Sequence, residues 1–259
     1  MKKNILFIGY GDLGSRLASI SKDDLVITGI SRSDKPRIIP DQYHSLDWFK
    51  NSAQKVDLLK NYDCLIITLT PTSFDEAGYE KGYEEGMKLI SKLVKNISFK
   101  KSLLISSTRV YQDSEEPINE LSNINSEDFR AKSLLESEAI YSNEINSWQK
   151  TIFRLSGLYD PEMKDKIFYK QVDEFQNKLI PISSNLNRLS RDQAARIIMN
   201  FCINKTDLLL LNVSEPTVLA QEQFKMLFPE KNFDDFFRID NPGKQLDISN
   251  LLKSKLLDG

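Results

Sequence analysis

Three glycines near the start of the chain are spaced for phosphate chemistry. Gly9-Tyr10-Gly11-Asp12-Leu13-Gly14 is a GxGxxG run, set directly after the apolar segment 4–8 and directly before the helical pattern 15–20. A strand that turns tightly into a helix leaves unpaired backbone N–H groups at the helix start, a ready site for a dinucleotide's pyrophosphate. In such a turn Gly9 supplies the bend, Gly11 lets the backbone approach the phosphates, and Gly14 lets the helix lie close on the strand. Asp12 is discordant, because a carboxylate beside a diphosphate repels it unless the side chain turns outward or caps the helix.

The residues after the second apolar run bear on which dinucleotide. That run ends at Ile30 and is followed by Ser31-Arg32-Ser33. An acidic residue there hydrogen-bonds the ribose 2′-OH of NAD, whereas a basic one pairs with the 2′-phosphate of NADP. Arg32 offers a planar fork for phosphate, the hydroxyls of Ser31 and Ser33 can donate, and Lys35 or Arg37 can add charge. NADP is therefore expected, with NAD possible through Asp34 if the strand runs longer. A third strand ends near Ser45-Leu46-Asp47, where Asp47 is placed to accept from an adenine amino group.

The elements that must hold these residues alternate along the first 155 positions. Apolar runs at 4–8, 25–30, 63–69, 102–106 and 151–155 are short and uncharged, as strands buried on both faces should be. Between them, Tyr79 to Asn96 and Glu127 to Glu144 carry helical spacing and serve as crossovers. The fold class is α/β: a Rossmann-type doubly wound parallel sheet over residues 1–155. Residues 156–259 form a small C-terminal substrate lobe and closing elements, intertwined with that core rather than independent. In that part, helices are expected at 164–178, 191–203 and 217–228, around a further edge strand at 208–213.

Composition narrows the class. The 259 residues include 35 basic and 37 acidic side chains, a net charge of −2 that provides no field for nucleic acid or an anionic membrane surface. No apolar run approaches the roughly 20 residues of a membrane span, and the start is too short in apolar residues for a signal peptide, so the chain reads as cytoplasmic. Cys64, Cys202 and the single His44 have no metal-ligand spacing, and no metal is expected.

Taken together, the motifs resemble the extended short-chain dehydrogenase/reductases, the nucleotide-sugar epimerase and dehydratase type. The resemblance rests on the GxGxxG start, Arg32, the strand end Ile66-Ile67-Thr68-Leu69-Thr70-Pro71, and Leu103-Leu104-Ile105-Ser106-Ser107-Thr108-Arg109-Val110-Tyr111. Arg154-Leu155-Ser156-Gly157-Leu158-Tyr159-Asp160-Pro161, the stretch 187–195 and Leu211-Asn212-Val213-Ser214-Glu215-Pro216 are similar to later family segments, so the likeness spans roughly residues 1–228 in order. It implies a cofactor contacted by Leu69, Thr70, Pro71 and Ser106 besides the glycine turn, and a small-molecule substrate such as a sugar nucleotide or carbonyl compound.

The family's catalytic set carries over only in part. It uses a Ser or Thr hydroxyl to orient substrate, a Tyr as acid or base, and a Lys four residues later that lowers the Tyr pKa and holds the nicotinamide ribose. Ser107 matches the first and Lys132 the last, but Asp128 stands where the Tyr would be, and no Tyr occurs between Tyr111 and Tyr141. Asp128, with a reference pKa of about 3.9, is a poor replacement, which leaves Tyr111 or Tyr159 to reach the pocket or to serve as packing. This pattern resembles the atypical branch of the family, either a reductase or epimerase with an unusual proton donor or a non-catalytic NADP(H)-binding redox sensor or protein-interaction scaffold. Finally, Gly78, Gly82 and Gly86 line one helical stripe, with Tyr79 and Tyr83 on the adjacent one. Each glycine costs a helix about 1 kcal/mol, so something must approach that stripe closely. The resemblance implies a second copy, as a homodimer; the alternative is the chain's own sheet.

Overall fold

Alternating apolar runs and amphipathic segments fold as the pattern demands. The computed structural model describes residues 2–50, 56–160, 166–173, 179–204 and 206–257. Strand β1 (Lys3–Ile8) turns into helix α1 (Asp12–Ile20), followed by β2 (Leu25–Ser31), β3 (Gln42–Ser45) and β4 (Asn61–Thr68). A long crossover comes next, helical from Glu76 to Val94 in three parts: α2 (Glu76–Tyr79), a π-helical segment (Glu80–Glu85) and α3 (Gly86–Val94). Then come β5 (Ser98–Ser107), α4 (Phe129–Glu144) and β6 (Ser147–Leu155).

The sheet closes with an element from the far half of the chain. After β7 (Gly157–Tyr159), α5 (Lys166–Asp173), β8 (Ile180–Ser183), β9 (Asn185–Leu186), β10 (Arg188–Ser190) and α6 (Arg191–Ile203), strand β11 (Leu210–Val213) pairs parallel with β6. The central sheet thus has seven strands in the order β11-β6-β5-β4-β1-β2-β3, every pairing parallel. Side chains alternate between its faces. Ile5, Phe7, Cys64, Ile66, Leu103 and Phe153 pack with Leu17 of α1 and Ile197, Ile198 and Phe201 of α6. Leu6, Ile8, Leu65, Ile67 and Leu104 pack with Met87, Ile90 and Val94 of α3 and Tyr141 of α4. Both cysteines are buried free thiols in the first of these cores.

The remaining elements are β12 (Val218–Leu219), α7 (Ala220–Leu227), β13 (Phe237–Asn241) and α8 (Ser249–Lys253); β12 pairs with β9 and β13 with β8, beside the pairing of β10 with β7, and α7 and β13 help to form a third, smaller core. Phe168, Phe224, Phe233 and Phe237 fill that core edge to face, a lobe distinct from the two sheet faces. Of the helix expected over 164–178, Lys166–Asp173 is observed, and 164, 165 and 174–178 lie outside the described residues. Among the described residues no helix is long and apolar enough to cross a membrane, and no acidic, His and Cys cluster could hold a metal.

The glycine stripe is filled from within the chain. A Cβ on Gly82 would lie 2.4 Å from the Thr70 carbonyl oxygen and 2.5 Å from the Pro71 Cα, and one on Gly78 would lie 2.1 Å from the Ser73 Oγ. The loop leaving β4 therefore runs directly along the stripe, which leaves no room there for a second copy. The close approach expected at these glycines is therefore made by the chain's own backbone and not by a second copy.

Candidate functional site

The C-terminal ends of the parallel strands converge on one cleft, the place where such sheets bind ligands. Gly9 follows β1 with φ of +80°, a conformation that glycine adopts without strain, and its N–H donates to the Ile30 carbonyl at 2.9 Å. The Thr68 Oγ1 in turn donates to the Gly9 carbonyl at 2.7 Å. A Cβ on Gly9 would sit 1.9 Å from the Thr68 carbonyl oxygen, whereas one on Gly11 would meet only the Gly9 carbonyl, at 3.7 Å. Gly11 thus faces open space at the start of α1, whose first turn has no capping side chain. That open, uncapped turn fits a bound diphosphate. Gly14 packs on the Tyr10 ring, 2.6 Å from where its Cβ would be, rather than on the strand itself.

Two adjoining hollows share Gly9, Gly11, Thr68, Leu69 and Thr70. The smaller, about 190 Å³, is lined further by Ser31, Arg32, Ser33, Trp48 and Phe49. The Arg32 guanidinium lies 5.6 Å from the Trp48 ring and 5.5 Å from the Phe49 ring, which holds a cation over two aromatic faces at the end of β2. The larger hollow, about 460 Å³, is lined by Asp12, Leu13, Tyr83, Ser106, Ser107, Leu134, Ser156 and Arg191 among others.

Several expected site residues turn out to do other work. Tyr10 borders the smaller hollow, but its ring is buried, its hydroxyl donates to the Ile38 carbonyl at 3.0 Å, and burial pushes its pKa up to about 12. Asp47 is not among the residues lining either hollow; its carboxylate accepts from the Phe49 N–H at 3.1 Å and lies 3.6 Å from Lys50. Pro71 lies under Gly82 instead of in the cleft. Asp128 is the N-cap of α4, accepting from the Arg130 N–H at 3.0 Å, and Arg109 lies 3.9 Å away.

Lys132 is the main correction. It is exposed and outside the cleft lining, while Leu134, two residues later, is buried and lines it. Successive helical residues are about 100° apart, so these two positions face nearly opposite ways, and the inward face of α4 runs through Ala131, Leu134, Glu138 and Tyr141. No ammonium therefore reaches the cleft from α4.

The floor beside Ser107 is a buried polar network. The Ser106 Oγ donates to the Glu138 carboxylate at 2.5 Å, and Arg154 grips the same carboxylate through Nε at 3.0 Å and Nη2 at 2.6 Å. Both ionic side chains are under a tenth exposed, and the guanidinium lies 4.9 Å from the Tyr111 ring. Tyr111 is itself fully buried, with its hydroxyl 2.7 Å from the Asn212 Oδ1, and Tyr159 bonds Glu215 at 3.0 Å; neither lines the cleft.

The tyrosine that does line it is Tyr83, in the π-helical segment. Its hydroxyl has no hydrogen-bond partner among the described residues, and burial pushes its pKa up to about 12. It therefore stays a protonated phenol at neutral pH, able to donate to an oxygen that gains negative charge. The sequence placed Tyr83 beside the glycine stripe without pointing it at the cleft, Arg191 entered only as part of the stretch 187–195, and Trp48 and Phe49 carried no signal.

The α/β architecture is one shared with solved structures of NAD-dependent epimerase/dehydratases. Among solved structures, a protein described as an NAD-dependent epimerase/dehydratase from Methylobacillus flagellatus superposes with a TM-score of 0.71 at 23% identity, over 98% of this chain and 92% of that one. UDP-glucuronic acid 4-epimerase from Bacillus cereus, in complex with NAD, gives 0.74 at 15% identity over 99% and 94%. UDP-N-acetylglucosamine 4-epimerase from Methanobrevibacter ruminantium M1, in complex with UDP-N-acetylmuramic acid, gives 0.72 at 18% identity over 98% and 92%. By sequence, no family model and no curated protein matches the chain. At these identities the likeness establishes a shared fold, and function must be argued from the site.

Proposed function

We propose that the chain is an NAD(P)-binding protein of the extended short-chain dehydrogenase/reductase type, acting on a sugar nucleotide or small carbonyl compound. The observation that carries this reading is the pair of hollows on either side of the glycine turn. The turn and the uncapped start of α1 take the diphosphate, Arg32 with Ser31 and Ser33 takes the adenosine ribose, and the larger hollow takes the nicotinamide and substrate. Two of the solved neighbours carry epimerase names with nucleotide-sugar substrates, which supports that substrate class. Arg32 supports NADP over NAD, because a guanidinium held over aromatic rings suits a 2′-phosphate.

A bound nicotinamide supplies or accepts hydride. The chain's part is to orient a carbonyl with the Ser107 hydroxyl and to give the proton from the Tyr83 hydroxyl to the oxygen that gains charge as hydride reaches the carbonyl carbon. Asp128 and Lys132 have no place in this scheme, since neither lines the cleft. Leu134 favours a second reading, a non-catalytic NADP(H)-binding redox sensor, because an apolar side chain stands where α4 faces the cleft.

Calorimetric titration with NADP⁺, NADPH, NAD⁺ and NADH tests the proposal. Tighter binding of NADP(H) than NAD(H) is the expected result, and the absence of binding to all four would overturn it. Turnover of UDP-sugars by the loaded protein, reduced in Tyr83→Phe, then separates the enzyme from the sensor.

A further inference from the structure

The mouth of the larger hollow carries an ion cluster that the proposed function does not use. Asp12, the first residue of α1, shares its carboxylate among three arginines: Arg16 Nε at 3.0 Å, Arg37 Nη1, and Arg191 Nη1 at 3.4 Å. Arg16 is further engaged by Asp160 at 2.7 Å and by Asp192. The other two differ. Among the described residues, Arg37 and Arg191 have no ionic partner other than Asp12, and each guanidinium has five N–H donors. Arg191, the first residue of α6, lines the hollow together with Gly9, Gly11, Asp12 and Leu13.

We propose that Arg191, seconded by Arg37, is a phosphate clamp for the dinucleotide, and that the Asp12 carboxylate holds both guanidiniums in place until the diphosphate arrives. The proposal rests on the dinucleotide reading above. Asp12 is the first residue of α1, beside the open backbone of the glycine turn, and its carboxylate takes the guanidinium contacts that a phosphate bound there would take. Burial alone would raise its pKa, but hydrogen bonds from Arg16 and the charge of Arg16 and Arg191 outweigh this and hold it below the usual carboxylate range. The carboxylate stays charged at neutral pH and competes with the ligand for the arginines. A diphosphate brings more charge and more acceptor oxygens than one carboxylate, so both guanidiniums transfer to it while Arg16 keeps Asp12, Asp160 and Asp192. This arrangement reconciles an acidic residue in the turn with an anionic ligand.

The experiment is calorimetric titration of NADPH and ADP-ribose into the full chain and two variants, with folding checked by thermal melting. Arg191→Gln should weaken both ligands about 10-fold or more, the value of one charge-assisted contact. It should also flatten the dependence of affinity on salt. Asp12→Asn should tighten both ligands, because it removes the anion that competes for the guanidiniums and repels the diphosphate. Unchanged affinity in Arg191→Gln, or weakened binding in a folded Asp12→Asn, would overturn the clamp alone. Failure of the unmodified chain to bind either ligand would overturn the dinucleotide reading and the clamp with it.

Discussion

The two ends of the cleft are built from different kinds of information. The glycine-turn end is local: six consecutive residues set the bend, the open backbone and the helix start, with Thr68 and the Ile30 carbonyl bracing the Gly9 backbone from neighbouring strands. The substrate end is assembled from five separated segments that bring Tyr83, Ser106, Ser107, Leu134, Ser156 and Arg191 together. A local motif can be read off a sequence because its spacing is its geometry. An assembled site depends on helix phase and on which face of each element turns inward.

That difference explains what the sequence analysis could see. The parallel strands, their crossovers and the edge strand at Leu210–Val213 were legible because uncharged runs bounded by polar turns have few alternatives. Lys132 was misplaced because spacing from a family pattern fixed its number without fixing the phase of α4. Ala131, Leu134 and Tyr141 do mark the inward face, but the charged Glu138 interrupts that apolar stripe and hides it. Tyr83 was hidden by the π-helical segment, which shifts side-chain phase in a way that no 3.6-residue pattern anticipates.

The sharpest way to break the contrast is at Gly11. Gly11→Val should abolish dinucleotide binding while leaving the fold intact, since a Cβ there meets nothing closer than 3.7 Å and Gly11 lines both hollows. Titration calorimetry with circular dichroism on the same sample checks both halves of the statement. Binding that persists in a folded variant would remove the diphosphate from the turn.

At the other end the largest effect falls on stability. Glu138→Ala leaves Arg154 buried without its partner and should cost about 3–5 kcal/mol in urea unfolding. Replacing both residues by methionine should recover most of that loss, because the pair's desolvation penalty goes with it. If the double variant were as unstable as the single one, the network's hold on Ser106 would be the feature that matters.

Arg32→Ala comes next. It should weaken NADPH by about 1.5–3 kcal/mol, roughly 10- to 150-fold, and leave NADH nearly unchanged. Equal losses for both would mean that Arg32 serves the aromatic pair Trp48 and Phe49 and reads no phosphate.

The smallest effect is the most instructive about α4. Lys132→Ala should shift dinucleotide affinity by no more than about 2-fold, the scale of a surface substitution, because its side chain lies about 200° around the helix from Leu134. Leu134→Lys is the complementary variant: it places an ammonium at the position that faces the cleft, and should tighten the anionic dinucleotides that Lys132 cannot reach. A large loss from Lys132→Ala in calorimetry would mean that α4 rotates when ligand binds. Its phase would then belong to the free protein alone, and the contrast between a local end and an assembled end would become one between a fixed end and a moving one.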